Sequence, residues 1–384
     1  MKPMKVFLVF SLTVVLALPF ACIASSAKSR YPGSKYSVFV QFVNANTNAD
    51  LEEPPKINVG FNKHPAYHPF IMDTGSCGIV ATPDVFKPGA NAINLGPGST
   101  YYDSDSTTAM GTYWTATQQI YDPAGNLLAT ANVPVLQITQ TCVTNPDGST
   151  TCNMNPTKFA LMGIGFGREG SSLPLKTPAY NAFLNLTQVK INGKLRGLPK
   201  EWVNGYVISS TGANLGLTDV NTANAGFVKL QLWLQYSKSN LSEWMPTTMT
   251  VNINGASGYG ESIMDTGIKF ALLTPPNDAN LGTPVLCPGT TEAECVPDGV
   301  VFNVYFPNEI NPVAFYTFTT GQQDNPMQPD SVSTAVVHPN IFFNTSRKLL
   351  AGMNFVYDNK NGYCGYIWNG NTSNWYGYVI PTEE

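Results

Sequence analysis

The chain has 384 residues, enough for two domains or one large two-part unit with a substantial core. Only 12% of it is charged, its formal net charge is −4, and no basic stripe runs along it, which argues against nucleic acid as a partner. Asn, Thr, Ser, Gly and Tyr are abundant where a helical bundle would use Glu, Lys and Ala, so extended, turn-rich β structure is expected throughout.

At the N-terminus, Lys2 and Lys5 precede the apolar stretch VFLVFSLTVVLALPFACIA, which closes in small residues. This reads as an export signal over residues 1–27, cut after Ala24 or Ala27. A membrane anchor is the competing reading, disfavoured by the small-residue exit and by a mature chain with no other long apolar run. Cys22, in LPFAC, follows a Pro where a lipoprotein signal wants Leu. The mature protein is expected to be secreted or periplasmic, with no membrane contact after cleavage.

Strand signals then recur. YSVFVQFV (36–43) is a short β-rich run. FIMDTGSCGIV (70–80) drives Ile71 and Met72 straight into Asp73, which puts a carboxylate at the end of a buried strand, costly unless something holds it. Just before it, His64 and His68 in HPAYH would form a metal pair only on a helix, and Pro65 with the following strand argues for loop residues and no metal. FVKLQLWLQY (227–236) alternates Val228, Leu230, Leu232 and Leu234 against Lys229, Gln231 and Gln235. MTVNING (249–255) alternates Met249, Val251 and Ile253 and ends in Asn254-Gly255, a strong hairpin signal. SIMDTGIKFAL (262–272) then repeats the apolar approach to an aspartate, Asp265. No low-complexity linker separates the halves.

With Cys22 removed, six cysteines remain, an even count that suggests disulfides in an exported chain. Cys142 with Cys152 and Cys287 with Cys295 bracket short turn-rich loops and are plausible local pairs; Cys77 and Cys364 would pair with each other or stay thiols. Spacing alone does not decide between the connectivities. No C-x-x-C pair exists to suggest zinc.

Two Asp-Thr-Gly triplets, each entered by an apolar strand, suggest two similar halves facing one another. Two carboxylates about 3 Å apart cannot both ionise easily and share one proton. One then serves as base on a water between them, the other as acid toward a carbonyl under attack. Gly75 and Gly267 allow tight turns and close approach of the loops, and the hydroxyls of Thr74 and Thr266 can tie them together. No cofactor is required.

In these features the chain resembles the pepsin-like aspartic proteases, which are secreted, two-lobed, all-β endopeptidases with one Asp-Thr-Gly per lobe. NINGASGYGESIMDTG resembles the hairpin leading into the family's second aspartate, and ALMGIGFGR (160–168) the hydrophobic-hydrophobic-Gly loop behind the first. CVPDGVVFNVYF (295–306) resembles a late core strand and FVYDNKNGYCGYI (355–367) the closing strand. The likeness runs from about residue 36 to the end. It implies a bilobal fold with a cleft, an N-terminal lobe over 28–205 and a C-terminal lobe over 206–384. Asp73 and Asp265 would be the catalytic pair, Ser76 a donor to the first carboxylate, and Gly75 and Gly267 backbone contacts for an extended peptide. The flap tyrosine would come from TYYDSDSTTAMGTYW (100–114), with Tyr102 favoured over Tyr101 and Tyr113. The implied activity is hydrolysis of internal peptide bonds by a monomer, blocked by pepstatin-type inhibitors. The alternative is a catalytically silent binding or inhibitor protein on the same scaffold.

Several residues depart from the family pattern. Ile268 stands where a Thr or Ser would donate to Asp265, and Lys269 follows it. The lost donor should disfavour ionisation and a nearby ammonium should favour it, so an acid limb different from pepsin's is expected. Val80 replaces the Trp that supports the flap tyrosine, with Trp114 as the candidate substitute. In AVVHPNIFF (335–343), His338 occupies the place expected for a glycine of the second backing loop. With the first strands needing most of the stretch before Asp73, no full inhibitory propeptide is expected. Asn185, Asn240, Asn344 and Asn371 head N-x-Ser/Thr sequons, relevant only in a eukaryotic secretory pathway.

Overall fold

The computed structural model describes residues 30–61, 66–145, 147–168, 177–234, 242–290, 293–322, 324–334, 338–370 and 377–382. The expected signal segment, His64, Pro65 and the sequons at Asn240 and Asn371 lie outside these residues. The protein is all-β, with three sheets and helical structure confined to short 3-10 turns among the described residues. Within them, no helix is long and apolar enough to cross a membrane.

One ten-stranded sheet is built from chain between Lys56 and Gly197, a second from chain between Thr247 and Val379. The two share a pattern. In the first, Cys77–Ala81 runs parallel to Leu127–Thr144 and antiparallel to Ala160–Ile164, which is parallel to Tyr67–Asp73, which is antiparallel to Lys56–Phe61, which pairs antiparallel with Thr107–Tyr121. In the second, Ala271–Thr274, Val332–Ser333, Phe342–Asn344, Ala256–Ile263, Thr247–Ile253 and Val301–Phe306 repeat those neighbours with the same senses. The repeat seen in the two triplets is therefore a repeat of topology. A six-stranded sheet, ordered Val38–Gln41, Gly212–Leu215, Gly205–Ile208, Met353–Asp358, Tyr363–Trp368 and Gly226–Lys229, joins chain from both halves. The boundary expected at 205/206 falls at the first residue of one of its strands.

Local chemistry accounts for the strands. Asn254 and Gly255 take φ of 49° and 93°, the left-handed pair a tight hairpin needs, and fold Thr247–Ile253 onto Ala256–Ile263. Met249, Val251 and Ile253 are fully buried, as their alternation requires. FVKLQLWLQY follows the expectation only in part. Val228 and Leu230 are buried, but the strand ends at Lys229 and Leu234 is 76% exposed. The backbone leaves the sheet there, and alternation no longer selects a face.

Disulfides join Cys142 to Cys152 and Cys287 to Cys295. The first lies across the pairing of Leu127–Thr144 with Thr150–Asn153, where the two cysteines are direct partners. Cys77 and Cys364 are not joined to one another.

Candidate active site

Asp73 is the last residue of Tyr67–Asp73, and Asp265 lies two residues beyond Ala256–Ile263. Each strand delivers its aspartate because the residues before it are packed away: Phe70 and Met72 are fully buried in one, Ile263 and Met264 nearly so in the other. Both aspartates are buried themselves, at 5% and 7% exposure. The fold places them side by side, with the Asp265 carboxyl within hydrogen-bonding reach of Asp73. A Cβ added to Gly267 would stand 2.8 Å from Asp73 Oδ1 and 3.0 Å from Asp265 Oδ1, and one on Gly75 would overlap the Asp265 carboxylate. Only glycine fits at either place.

The loops are locked by a reciprocal exchange. Thr74 N–H donates to Thr266 Oγ1 (3.0 Å) and Thr266 N–H to Thr74 Oγ1 (2.9 Å). Thr74 Oγ1 in turn donates to Met264 O (2.5 Å) and Thr266 Oγ1 to Met72 O (2.7 Å). Six polar groups are thereby satisfied in an interior where each would otherwise be costly.

The carboxylates are held by matching backbone bonds: Gly75 N–H to Asp73 Oδ1 and Gly267 N–H to Asp265 Oδ1, both 2.7 Å. Ser76 Oγ donates to Asp73 Oδ2 (2.5 Å). Burial, and secondarily the Asp265 charge, push the Asp73 pKa up to about 7, against the lowering effect of Ser76 and Gly75.

At the position after the second triplet the structure corrects the sequence reading. The donor that Ile268 lacks is supplied by Asn344, 79 residues away, whose Nδ2 donates to Asp265 Oδ2 (2.8 Å). Lys269 does not serve the aspartate; its ammonium pairs with Glu52 (2.9 Å) and Asp330 (2.7 Å). In the sequence Asn344 stands out only as the head of a sequon. The available signal was the missing hydroxyl at 268, which announces a vacancy without saying what fills it. Asn185, likewise a sequon head, spends its amide on Pro178 O (2.8 Å) and Asn181 O (2.9 Å).

The backing loop of the second half is also relocated. Asp73 is paired with Gly163 at the end of one backing strand, and Ile263 with Asn344 at the end of the other, which Thr345 and Ser346 follow. Ser346 has φ 61° and ψ 177°, a region suited to glycine. His338 stands apart, its ring stacked on Phe342 and its N–H held by Thr274 Oγ1.

Tyr102 ends the strand Asn94–Tyr102, beside the turn into Thr107–Tyr121. Its ring packs near Phe159 within a cluster of Val80, Tyr113 and Tyr180, and it lies close enough to Asp73 to feel its charge. Tyr113 is buried beneath it and Tyr101 is half exposed. Trp114 does not support Tyr102: next to Tyr113 on the strand, it packs on the opposite face against the main core. Tyr113, Tyr180 and Phe159 take that role.

Two further cations adjoin the pair. Arg168 shares a cavity of about 10 Å³, room for one water, with Thr74, Tyr206, Ser262 and Met264, and interacts electrostatically with both aspartates. Arg347 is 3% exposed and spends its guanidinium on the carbonyls of Leu51 (2.7 Å), Glu52 (2.5 Å) and Gly267 (3.1 Å), pinning the loop of the second triplet to the 50–53 segment. Among the described residues, no group of His, Cys, Asp and Glu is arranged to hold a metal.

Comparison with protein-family models and with curated proteins gives no match to this chain.

Proposed function

We propose that the protein is an exported aspartic endopeptidase of the pepsin-like kind, hydrolysing internal peptide bonds with a water activated between Asp73 and Asp265. The observation that carries this reading is the pair itself: two buried carboxyls within hydrogen-bonding reach, held by bonds that repeat across the two halves. Such a pair takes up one proton between its members. The ionised member removes a proton from water as the water oxygen attacks the scissile carbonyl carbon, and the protonated member gives its proton to the carbonyl oxygen. When the resulting gem-diol collapses, the C–N bond breaks and the proton taken from water passes to the leaving nitrogen. The diol returns the other proton to the pair, so the products are one carboxylic acid and one amine.

On this reading the two ten-stranded sheets are the two lobes, over 28–205 and 206–384, and the six-stranded sheet is the floor between them. The Asn94–Tyr102 hairpin is the flap, with Tyr102 closing over an extended peptide whose backbone meets Gly75 and Gly267. The two disulfides accord with a protein that matures outside the cytoplasm.

The test is incubation of the mature chain with denatured haemoglobin or casein at acid pH. Cleavage that disappears with Asp73→Ala, with Asp265→Ala and with a pepstatin-type inhibitor is expected. A folded chain that binds the inhibitor without cutting any substrate would instead identify a silent binding protein.

A further inference from the structure

We infer that Asn344 is a positioning residue that makes Asp265 the carboxylate and Asp73 the acid of the pair. The inference rests on the peptidase reading and deepens it by dividing the labour between two otherwise similar residues.

Asn344 is 2% exposed and stands at the end of Phe342–Asn344. Its Oδ1 accepts the backbone N–H of Ser346 (3.0 Å), and a backbone N–H can only donate. The carbonyl end of the amide must therefore face Ser346, which leaves the NH2 end facing Asp265 Oδ2 (2.8 Å).

Around the pair, the four carboxyl oxygens then have unlike neighbours. Asp265 Oδ1 accepts from Gly267 N–H and Oδ2 from Asn344 NH2, both groups that can only donate. Asp73 Oδ1 accepts from Gly75 N–H, but Oδ2 meets the Ser76 hydroxyl, which can rotate and accept a proton instead. A proton on Asp73 Oδ2 is accommodated by turning one hydroxyl; a proton on Asp265 Oδ2 would confront an amide that cannot turn. The resting proton belongs to Asp73. In the reaction Asp265 takes the proton from water and Asp73 protonates the substrate carbonyl oxygen. On collapse the proton on Asp265 goes to the leaving nitrogen, and Asp73 recovers its own from the gem-diol.

The other charged and titratable groups facing the pair do not undo this asymmetry. Arg168 interacts with both aspartates, with Glu243 and with Cys77. Arg347, on the turn after Asn344, interacts with Asp265 and Glu52, and so adds to the preference for a charge on Asp265. Tyr102 faces Asp73.

The test uses the full mature chain labelled with carbon-13 at the aspartate carboxyls, with the two signals assigned from Asp73→Asn and Asp265→Asn. At about pH 5, the wild type should show Asp265 as carboxylate and Asp73 as acid. Asn344→Ala should shift protonation toward Asp265, and in peptide cleavage it should move the acid limb of kcat up by about one pH unit with KM unchanged. Ile268→Thr added to Asn344→Ala supplies a hydroxyl three residues after Asp265, as Ser76 stands after Asp73; because that hydroxyl can turn as Ser76 can, both readouts should return only part of the way to the wild type. Asn344→Ser serves the same comparison if the alanine variant does not fold. A folded Asn344 variant with wild-type carboxyl signals, or a wild type with the proton on Asp265, overturns the inference. The carboxyl signals decide it even if no peptide is cleaved, an outcome that counts against the peptidase reading alone.

Discussion

Thr74 and Thr266 hold one another, each accepting the other's backbone N–H on its hydroxyl at 3.0 and 2.9 Å. Because each hydroxyl also donates to a carbonyl of the opposite strand, removing one leaves a buried N–H and a buried carbonyl unpaired. Thr266→Val, which keeps the shape, should cost about 2–4 kcal/mol. Thr266→Ser should cost far less. Urea unfolding of the two variants measures the difference, and equal midpoints would remove the exchange from the stability account.

The raised pKa of Asp73 makes stability depend on pH in a definite direction. The folded carboxyl holds its proton up to about pH 7, whereas the unfolded one releases it near 3.8. Between those values folding retains a proton that the unfolded chain gives up, so stability falls as pH rises through the window. From about pH 4 to about pH 7 the wild type should lose on the order of 3 kcal/mol relative to Asp73→Asn. Urea midpoints at both pH values test this, and a wild type that gains on the variant as pH rises would reverse the sign.

Glu52 works in the opposite sense. Hydrogen bonds from Lys348 and then Lys269 hold its pKa down at about 2, from 4.5. Its contribution is present above about pH 4.5 and is lost as pH falls toward 2. Because the Glu52 side chain is 54% exposed, solvent screening limits the effect. Glu52→Gln should cost less than about 1 kcal/mol at neutral pH and low salt, and nothing near pH 2. Thermal unfolding at the two pH values, with and without added salt, checks the window and the screening together.

Ser346 occupies a backbone region that glycine prefers, at φ 61° and ψ 177°. Its hydroxyl caps the following turn at Lys348 N (3.3 Å), a bond whose loss to glycine costs only a few tenths of a kcal/mol. Ser346→Gly should therefore stabilise the fold by about 1 kcal/mol. Ser346→Ala, which keeps the strain and loses the cap, should destabilise it. The order of the two midpoints is the measurement.

The sequence made the paired triplets legible because Phe70, Ile71 and Met72, and Ile263 and Met264, announce buried strands ending in acids. Asn254-Gly255 marked its hairpin for an equally local reason. What it concealed depends on chain separation. Asn344 meets Asp265 only after Phe342–Asn344 pairs with Ala256–Ile263, and no local pattern distinguishes that Asn from a sequon. Lys269 lies close to Asp265 along the chain, yet it is drawn away by Glu52, 217 residues off. Trp114 failed as a partner for Tyr102 because adjacent strand residues point to opposite faces, a rule that places Tyr113 there instead. His338 misled because the backing strand begins a few residues later than the apolar pattern suggested.

The most direct measurement is kcat/KM on an internally quenched peptide for the wild type, Asp73→Asn, Asp265→Asn and the double variant, at the acid optimum. If the two carboxyls act as one unit, each single variant loses at least about a thousandfold and the double variant is hardly worse than either. A single variant that retains substantial activity, or losses that multiply in the double variant, would contradict a shared centre.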